Sequence, residues 1–173
     1  MSDPVRARVI VASDRATTGE RPDEVGPVLR DLLRADGYAL DDGDVVVVPD
    51  DVAALVAALE TARRDGRRLL VTTGGTGAAP RDVTPDATRA FVERELPGFG
   101  ELLRAESLKV TVYAAGSRAT AGTRGDVLVV NLPGSPRGAR EGLAILAKPV
   151  RHVLDLIAGA ISDCKPVRDA ETR

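Results

Sequence analysis

Residues 69–88 read LLVTTGGTGAAPRDVTPDAT, and their order decides the fold. The apolar run Leu69–Val71, extended to Thr73, has the unbroken hydrophobicity of a strand buried on both faces, as in parallel sheets. It empties into Thr72-Thr73-Gly74-Gly75-Thr76-Gly77, which supplies bare amides and hydroxyls where the strand stops. Glycine lets backbone N–H groups turn toward an anion and approach it closely. Arg81-Asp82 then sets a guanidinium beside a carboxylate. Thr84-Pro85-Asp86 reads as a helix start, with Thr84 as N-cap, Pro85 at the first helical position and Asp86 favoured by the helix dipole. Strand, anion-binding loop, Arg-Asp pair and helix N-terminus in succession are equipment for handling phosphate with a metal nearby.

Two common phosphate loops are excluded. A P-loop needs Gly-Lys-Ser/Thr, and no lysine follows these glycines. A Rossmann fingerprint runs directly from its glycines into a helix, whereas Ala78 to Thr84 intervene here before Pro85.

Working outward, residues 7–13 form a first strand ending at Ser13-Asp14-Arg15. A polar loop follows to about Asp23, then a helix over about 24–36 with Val25, Val28, Leu29, Leu32 and Leu33 at helical spacing and Gly37 at its end. Residues 44–48 carry four consecutive valines as a second strand that ends at Pro49-Asp50-Asp51. The next helix buries Val52, Leu55, Val56 and Leu59. Past the Pro85 helix, Pro97-Gly98-Phe99-Gly100 breaks the chain, and a further helix is expected over about 101–108. Residues 110–114 alternate like a strand, and Ser117-Arg118 opens a second extended piece. Residues 127–131 read as a buried strand ending at Leu132-Pro133-Gly134, with Ser135 as N-cap of a last helix or helix pair that Pro149 breaks or kinks. The βαβα alternation predicts an α/β fold of three layers, α/β/α, with a mostly parallel central sheet. One domain is expected over residues 1–162, with a polar tail over 163–173.

In an open parallel sheet, ligands bind outside the carboxyl ends of the strands. Four predicted strands end in polar or glycine-rich sequence: at Ser13-Asp14, at Pro49-Asp50, at Thr73–Gly77 and at Asn131–Ser135. A parallel sheet brings these ends to one edge. Asp50 and Asp82 are the chemical candidates, because two carboxylates with phosphate oxygens and water suit Mg²⁺. Each also has a plain structural reading: Asp50 as N-cap of the Val52 helix, Asp82 as a turn aspartate. Thr73, Gly74, Gly75, Thr76 and Gly77 are candidates for phosphate, as are Pro133, Gly134 and Ser135 bordering a nucleotide. Ser13 and Asp14 read equally as a local turn or a ligand contact. His152, the one histidine, reads as a structural bystander rather than a catalytic group. Cys164 reads as a tail thiol.

Composition narrows the function classes. With 173 residues the chain is long enough to bury a sizeable core. Aromatic residues make up only 2% of it, too few for the stacking platforms of single-strand nucleic-acid binding. A net charge of −2 provides no basic field for DNA or a membrane surface. One cysteine permits no internal disulfide. The N-terminal residues lack the pattern of a signal peptide and no apolar run approaches a membrane span, so a cytoplasmic location is expected.

GGTG followed by RDVTPDAT, with NLPGSP at 131–136, resembles the MogA/MoaB family of molybdenum-cofactor biosynthesis, to which the G domain of gephyrin is related. The resemblance runs from about Arg6 to Ala160. It implies a MogA-like fold and a molybdopterin adenylyltransferase that uses ATP, Mg²⁺ and molybdopterin. It implies that Asp50 and Asp82 are essential carboxylates, that Ser117 and Arg118 match a substrate-contacting Ser-Arg element, and that the protein is a homotrimer handing its product to a MoeA-like molybdenum insertase. Two rivals stand beside this reading: a MoaB-type binding or scaffold protein without catalysis, and a CinA-like pyrophosphatase. The intact Arg81-Asp82 pair and the Pro49-Asp50 step favour the enzyme. Gly75-Thr76-Gly77, where CinA-like chains tend to have Gly-Leu-Gly, disfavours the pyrophosphatase.

Overall fold

The computed structural model describes residues 4–161; Cys164 and the 163–173 tail lie outside them. The strands are β1 (Ala7–Ala12), β2 (Val45–Val48), β3 (Leu69–Thr73), β4 (Arg94–Glu95), β5 (Ala121–Arg124) and β6 (Val127–Leu132). They form a six-stranded sheet in the order β2-β1-β3-β6-β5-β4. The first four strands of that order pair in parallel, Ile10 opposite Val46 and Thr72, and Thr72 opposite Asn131. β5 runs antiparallel to β6, joined by the two-residue turn Gly125-Asp126, and β4 is antiparallel to β5.

The helices are α1 (Asp14–Thr17), α2 (Gly26–Ala35), α3 (Val52–Arg64), α4 (Thr84–Phe91), α5 (Pro97–Leu108) and α6 (Pro136–Ile157). Strand side chains alternate between faces, and the two resulting cores explain the three layers. Val9, Val71, Leu128 and Val130 pack with Leu29 and Leu33 of α2, Phe99 of α5 and Leu143 and Leu146 of α6. Ile10, Leu70, Val127 and Val129 pack on the other face with Leu55 and Leu59 of α3 and Ala87 and Phe91 of α4. At the amino edge of the sheet the buried Arg8 bonds Asp44 (Nε to Oδ1, 3.0 Å) and Asp65 (2.9 Å), while Arg67 bonds the same Asp44 oxygen at 2.8 Å.

Several expectations shift. Residues 110–114 are not a strand: Val112–Gly116 is a 3₁₀ turn capped by Thr111, whose hydroxyl accepts from the Tyr113 amide. The extended segment after Ser117-Arg118 begins only at Ala121. α5 starts at Pro97 rather than after it, since proline at the first helical position loses no bond the helix would make. α6 runs as one helix through Pro149. Val83, not Thr84, occupies the N-cap of α4, because the Thr84 amide is taken by the Gly75 carbonyl at 3.1 Å.

Candidate functional site

The parallel register brings the carboxyl ends of β1, β2, β3 and β6 to one edge, and there they enclose a cavity of about 370 Å³. Ser13, Asp14, Asp50, Thr73, Gly74, Gly75, Thr76, Gly77, Arg81, Asp82, Gly134 and Ser135 all line it. The volume is within the range of small-ligand sites.

Local structure fixes each carboxylate. Ser13 caps α1, its hydroxyl accepting from the Ala16 amide at 3.2 Å. This turn brings Asp14 against the end of β2, where the two aspartates exchange bonds: the Asp14 amide donates to Asp50 Oδ2 at 3.1 Å and the Asp50 amide to Asp14 Oδ1 at 2.9 Å. The N-cap duty at α3 falls to Asp51, which accepts from the Ala54 amide at 2.8 Å. Asp50 is thereby left for the cavity. Burial pushes its carboxyl above the ordinary aspartate range; the Asp14 amide pulls it back, the Asp14 carboxylate raises it, Arg81 lowers it and Asp82 raises it again. The dominant cause is loss of water around the carboxylate, with Asp14 and Asp82 adding like charge and Arg81 opposing it. Asp82 is held by the Ala79 amide at 2.8 Å, and its Oδ2 lies 2.7 Å from where a Gly77 Cβ would stand. Among the described residues no group of three or more His, Cys, Asp or Glu side chains is arranged to hold a metal.

The glycine loop is packed as tightly as it is bare. Gly74 sits at φ +90° with the Ala12 carbonyl oxygen 2.4 Å from its missing Cβ, and Gly75 at φ +58°. The Thr73 hydroxyl donates to the Pro133 carbonyl at 2.7 Å, tying β3 to the loop after β6. Behind them Asn131 donates to the hydroxyls of Thr72 and Thr88, both at 2.8 Å, and accepts from the Thr120 amide at 3.1 Å.

Other sequence candidates lie elsewhere. Pro133 and Ser117 line an adjoining, more apolar cavity of about 480 Å³ between α5, the 112–116 turn and α6. Thr76, Gly77 and Ser135 line both cavities. Ser117 is thus separated from Ser13 and Asp14. Arg118 lines neither cavity; it bonds the Asp82 carbonyl and the Asp86 carboxylate, and its amide donates to the Thr76 carbonyl. It clamps the 76–82 loop to α4. Sequence reading also missed Arg15 and the Arg21–Val25 segment as walls of the first cavity. The signal available for them was Asp23, which accepts from the Val25 and Gly26 amides and so turns that segment into α2.

Residues 8–152 match the family described as "Probable molybdopterin binding domain". The chain belongs to this family. Within it, the chain is 39% identical to the molybdopterin adenylyltransferase of Helicobacter pylori over 157 residues, 87% of this chain and 86% of that protein. It is 37% identical to the molybdenum cofactor synthesis protein cinnamon of Drosophila melanogaster over 89% of this chain, and spans only 26% of that longer protein. The molybdopterin biosynthesis enzyme MoaB of Thermus thermophilus superposes with a TM-score of 0.82 at 41% identity, covering 90% of this chain and 97% of that one. The MogA/MoaB resemblance and the α/β fold expected from the motifs are both borne out.

Proposed function

We propose that the chain is a molybdopterin adenylyltransferase of molybdenum-cofactor biosynthesis. The observation that carries the reading is the meeting of Asp50, Asp82 and the Gly74–Gly77 loop around one cavity at the carboxyl edge of the sheet. A terminal phosphate oxygen of molybdopterin attacks the α-phosphorus of ATP, the bond to the β-phosphate breaks, and pyrophosphate leaves. A phosphate monoester is largely dianionic at neutral pH, so its oxygen needs no general base. Neither cavity is lined by histidine among the described residues, which agrees with that chemistry. The work left to the protein is positioning and charge stabilisation.

The adjoining cavities give two substrates separate seats. ATP phosphates lie along the Gly74–Gly77 amides with Gly134 and Ser135 bordering the nucleotide. The pterin takes the apolar cavity beside Ser117, and the reacting phosphates meet at the shared wall of Thr76, Gly77 and Ser135. Asp14 orients Asp50 through the reciprocal amide bonds, the Ala79 amide orients Asp82, and Arg118 keeps the loop between them in place. Asp50 and Asp82 with substrate oxygens would hold Mg²⁺, which when bound neutralises charge gathering on the transferring group. No helix among the described residues is long and apolar enough to cross a membrane. We place the protein in the cytoplasm as a homotrimer that passes adenylylated molybdopterin to a MoeA-like insertase.

The test is incubation with molybdopterin, ATP and Mg²⁺, reading AMP attached to the pterin and pyrophosphate released. Asp82→Asn is expected to lower the rate at least 100-fold while the protein stays folded. Full activity in that variant removes Asp82 from the mechanism. Pterin binding without AMP transfer by the wild-type protein replaces the enzyme reading with a binding protein.

A further inference from the structure

Thr84 is fully buried, and its Oγ1 is the buried side-chain polar atom without a hydrogen-bond partner among the described residues. A native fold rarely strands a hydroxyl without a reason. The rest of the residue is well occupied: its amide donates to the Gly75 carbonyl at 3.1 Å and its carbonyl accepts from the Thr88 hydroxyl at 3.0 Å. The hydroxyl alone is aimed away from α4, toward the glycine loop.

What it faces is specific. Thr84 Oγ1 lies 2.7 Å from the point where a Gly75 Cβ would stand, and Asp50 Oδ1 lies 3.3 Å from the same point. The hydroxyl and the carboxylate therefore border the same space, the one that a Gly75 side chain would fill. The other oxygen of Asp50, Oδ2, is held by the Asp14 amide at 3.1 Å. Asp50 thus has one oxygen fixed from the start of α1 and the other beside the space that Thr84 Oγ1, an unpartnered donor on α4, also borders.

The geometry points to Thr84 as a positioning residue: in the substrate-loaded site its hydroxyl donates to Asp50 Oδ1, fixing that carboxylate from its second side. This rests on the adenylyl-transfer reading of the cavity. A donor held in reserve costs stability in the free protein and acts only when the site is loaded. That combination separates it from a structural threonine, whose loss lowers stability and activity together.

The experiment compares Thr84→Val, which keeps the shape and removes the hydroxyl, with Thr84→Ser, which keeps the hydroxyl. Thr84→Val is expected to melt at or above the wild-type temperature, since an unpaired buried hydroxyl is replaced by a methyl group. Its kcat for AMP transfer falls about 10–100-fold, the usual effect of losing a group that orients a site ligand, and KM for ATP is unchanged. Thr84→Ser recovers kcat to within about 3-fold of wild type, on the same reasoning. Should Thr84→Val fail to fold, Thr84→Ala removes the hydroxyl without adding bulk and carries the same expectation for kcat. An unchanged kcat in the variant without the hydroxyl overturns the inference. So does a parallel fall of kcat and melting temperature that Thr84→Ser fails to rescue. The wild-type reaction run alongside tells this from failure of the functional reading: absence of transfer there overturns the assignment of the cavity, and the role of Thr84 with it.

Discussion

Replacing Gly74 with alanine tests how the four strand ends are joined. Gly74 has φ +90°, a conformation L-residues adopt only with strain, and its missing Cβ would meet the Ala12 carbonyl oxygen at 2.4 Å. That oxygen belongs to the backbone of β1, in the middle of the parallel array, and cannot swing aside as a side chain would. The loop after β6 also comes close to this backbone: a Cβ built on Gly134 would stand 2.9 Å from the Gly74 Cα. Shifting the Gly74 backbone to relieve the clash with β1 is therefore constrained. The backbone conformation costs about 1–2 kcal/mol and overpacking adds about 1–3 kcal/mol, together about 2–5 kcal/mol. For a chain of this length that lowers Tm by roughly 4–20 °C. Urea unfolding followed by circular dichroism measures it, with an unchanged denaturant slope showing that the unfolded state is not the cause. The control is Gly43→Ala, at an exposed site where a new Cβ meets nothing within 4 Å; it should stay within about 1 kcal/mol of wild type. A Gly74→Ala variant as stable as Gly43→Ala would refute the reasoning that the loop is wedged between β1 and the turn after β6.

Two further perturbations follow from buried polar groups. Asp44→Asn should cost about 3–5 kcal/mol at pH 7, because it removes the anion shared by Arg8 and Arg67. Burial raises the Asp44 carboxyl, but Arg67, the Asp41 amide and Arg8 outweigh it and hold it below the ordinary 3.8. The folded state thus favours the charged form, so the stability difference between wild type and variant persists above that pH and disappears as acid carries the solution through the lower folded value. Urea titrations from pH 7 to pH 2.5 read it, and a difference that grows on acidification contradicts the assignment. Asn131→Ala strands the Thr120 amide, while the Thr72 and Thr88 hydroxyls keep the Val130 and Thr84 carbonyls; the stranded donor costs about 1–3 kcal/mol, and the cavity adds to it. A loss under about 0.5 kcal/mol in the same assay would show that the network is not a support of α4.

The parts legible in the sequence are those where local and tertiary preferences agree. β1, β3 and β6 are apolar on both faces because both faces are covered, and their ends are marked by abrupt polarity. The convergence of Asp50 and the glycines follows from parallel pairing; Asp82 joins them through the turn at Ala79 and the Arg118 clamp. Elsewhere the deciding contact is distant in the chain. Val110 and Val112 alternate as strand residues do, yet they are 60% and 74% exposed; periodicity reports a pattern and not what covers it. β4 has two residues, too short to carry a period. Thr84 looks like an N-cap until the Gly75 carbonyl takes its amide, a bond no window of neighbouring residues reveals. Adjacent Asp50 and Asp51 are equivalent as caps in the sequence, and one residue of helix register separates the structural aspartate from the one that faces the cavity. The apolar cavity beside Ser117 is made by α5, the 112–116 turn and α6, which meet only in the folded chain.

The charged lattice of Arg8, Asp44, Asp65 and Arg67 lies at the opposite margin of the sheet from the cavity. Cohesion and tension are therefore kept at opposite poles of the same strands: arginines bind the aspartates at one pole, while at the other Asp14, Asp50 and Asp82 raise one another's charge burden around the cavity. An engineer seeking a more heat-resistant version has reason to reinforce the first pole and leave the second alone. Neutralising the acidic pole would ease that crowding and remove the carboxylates on which the proposed chemistry depends.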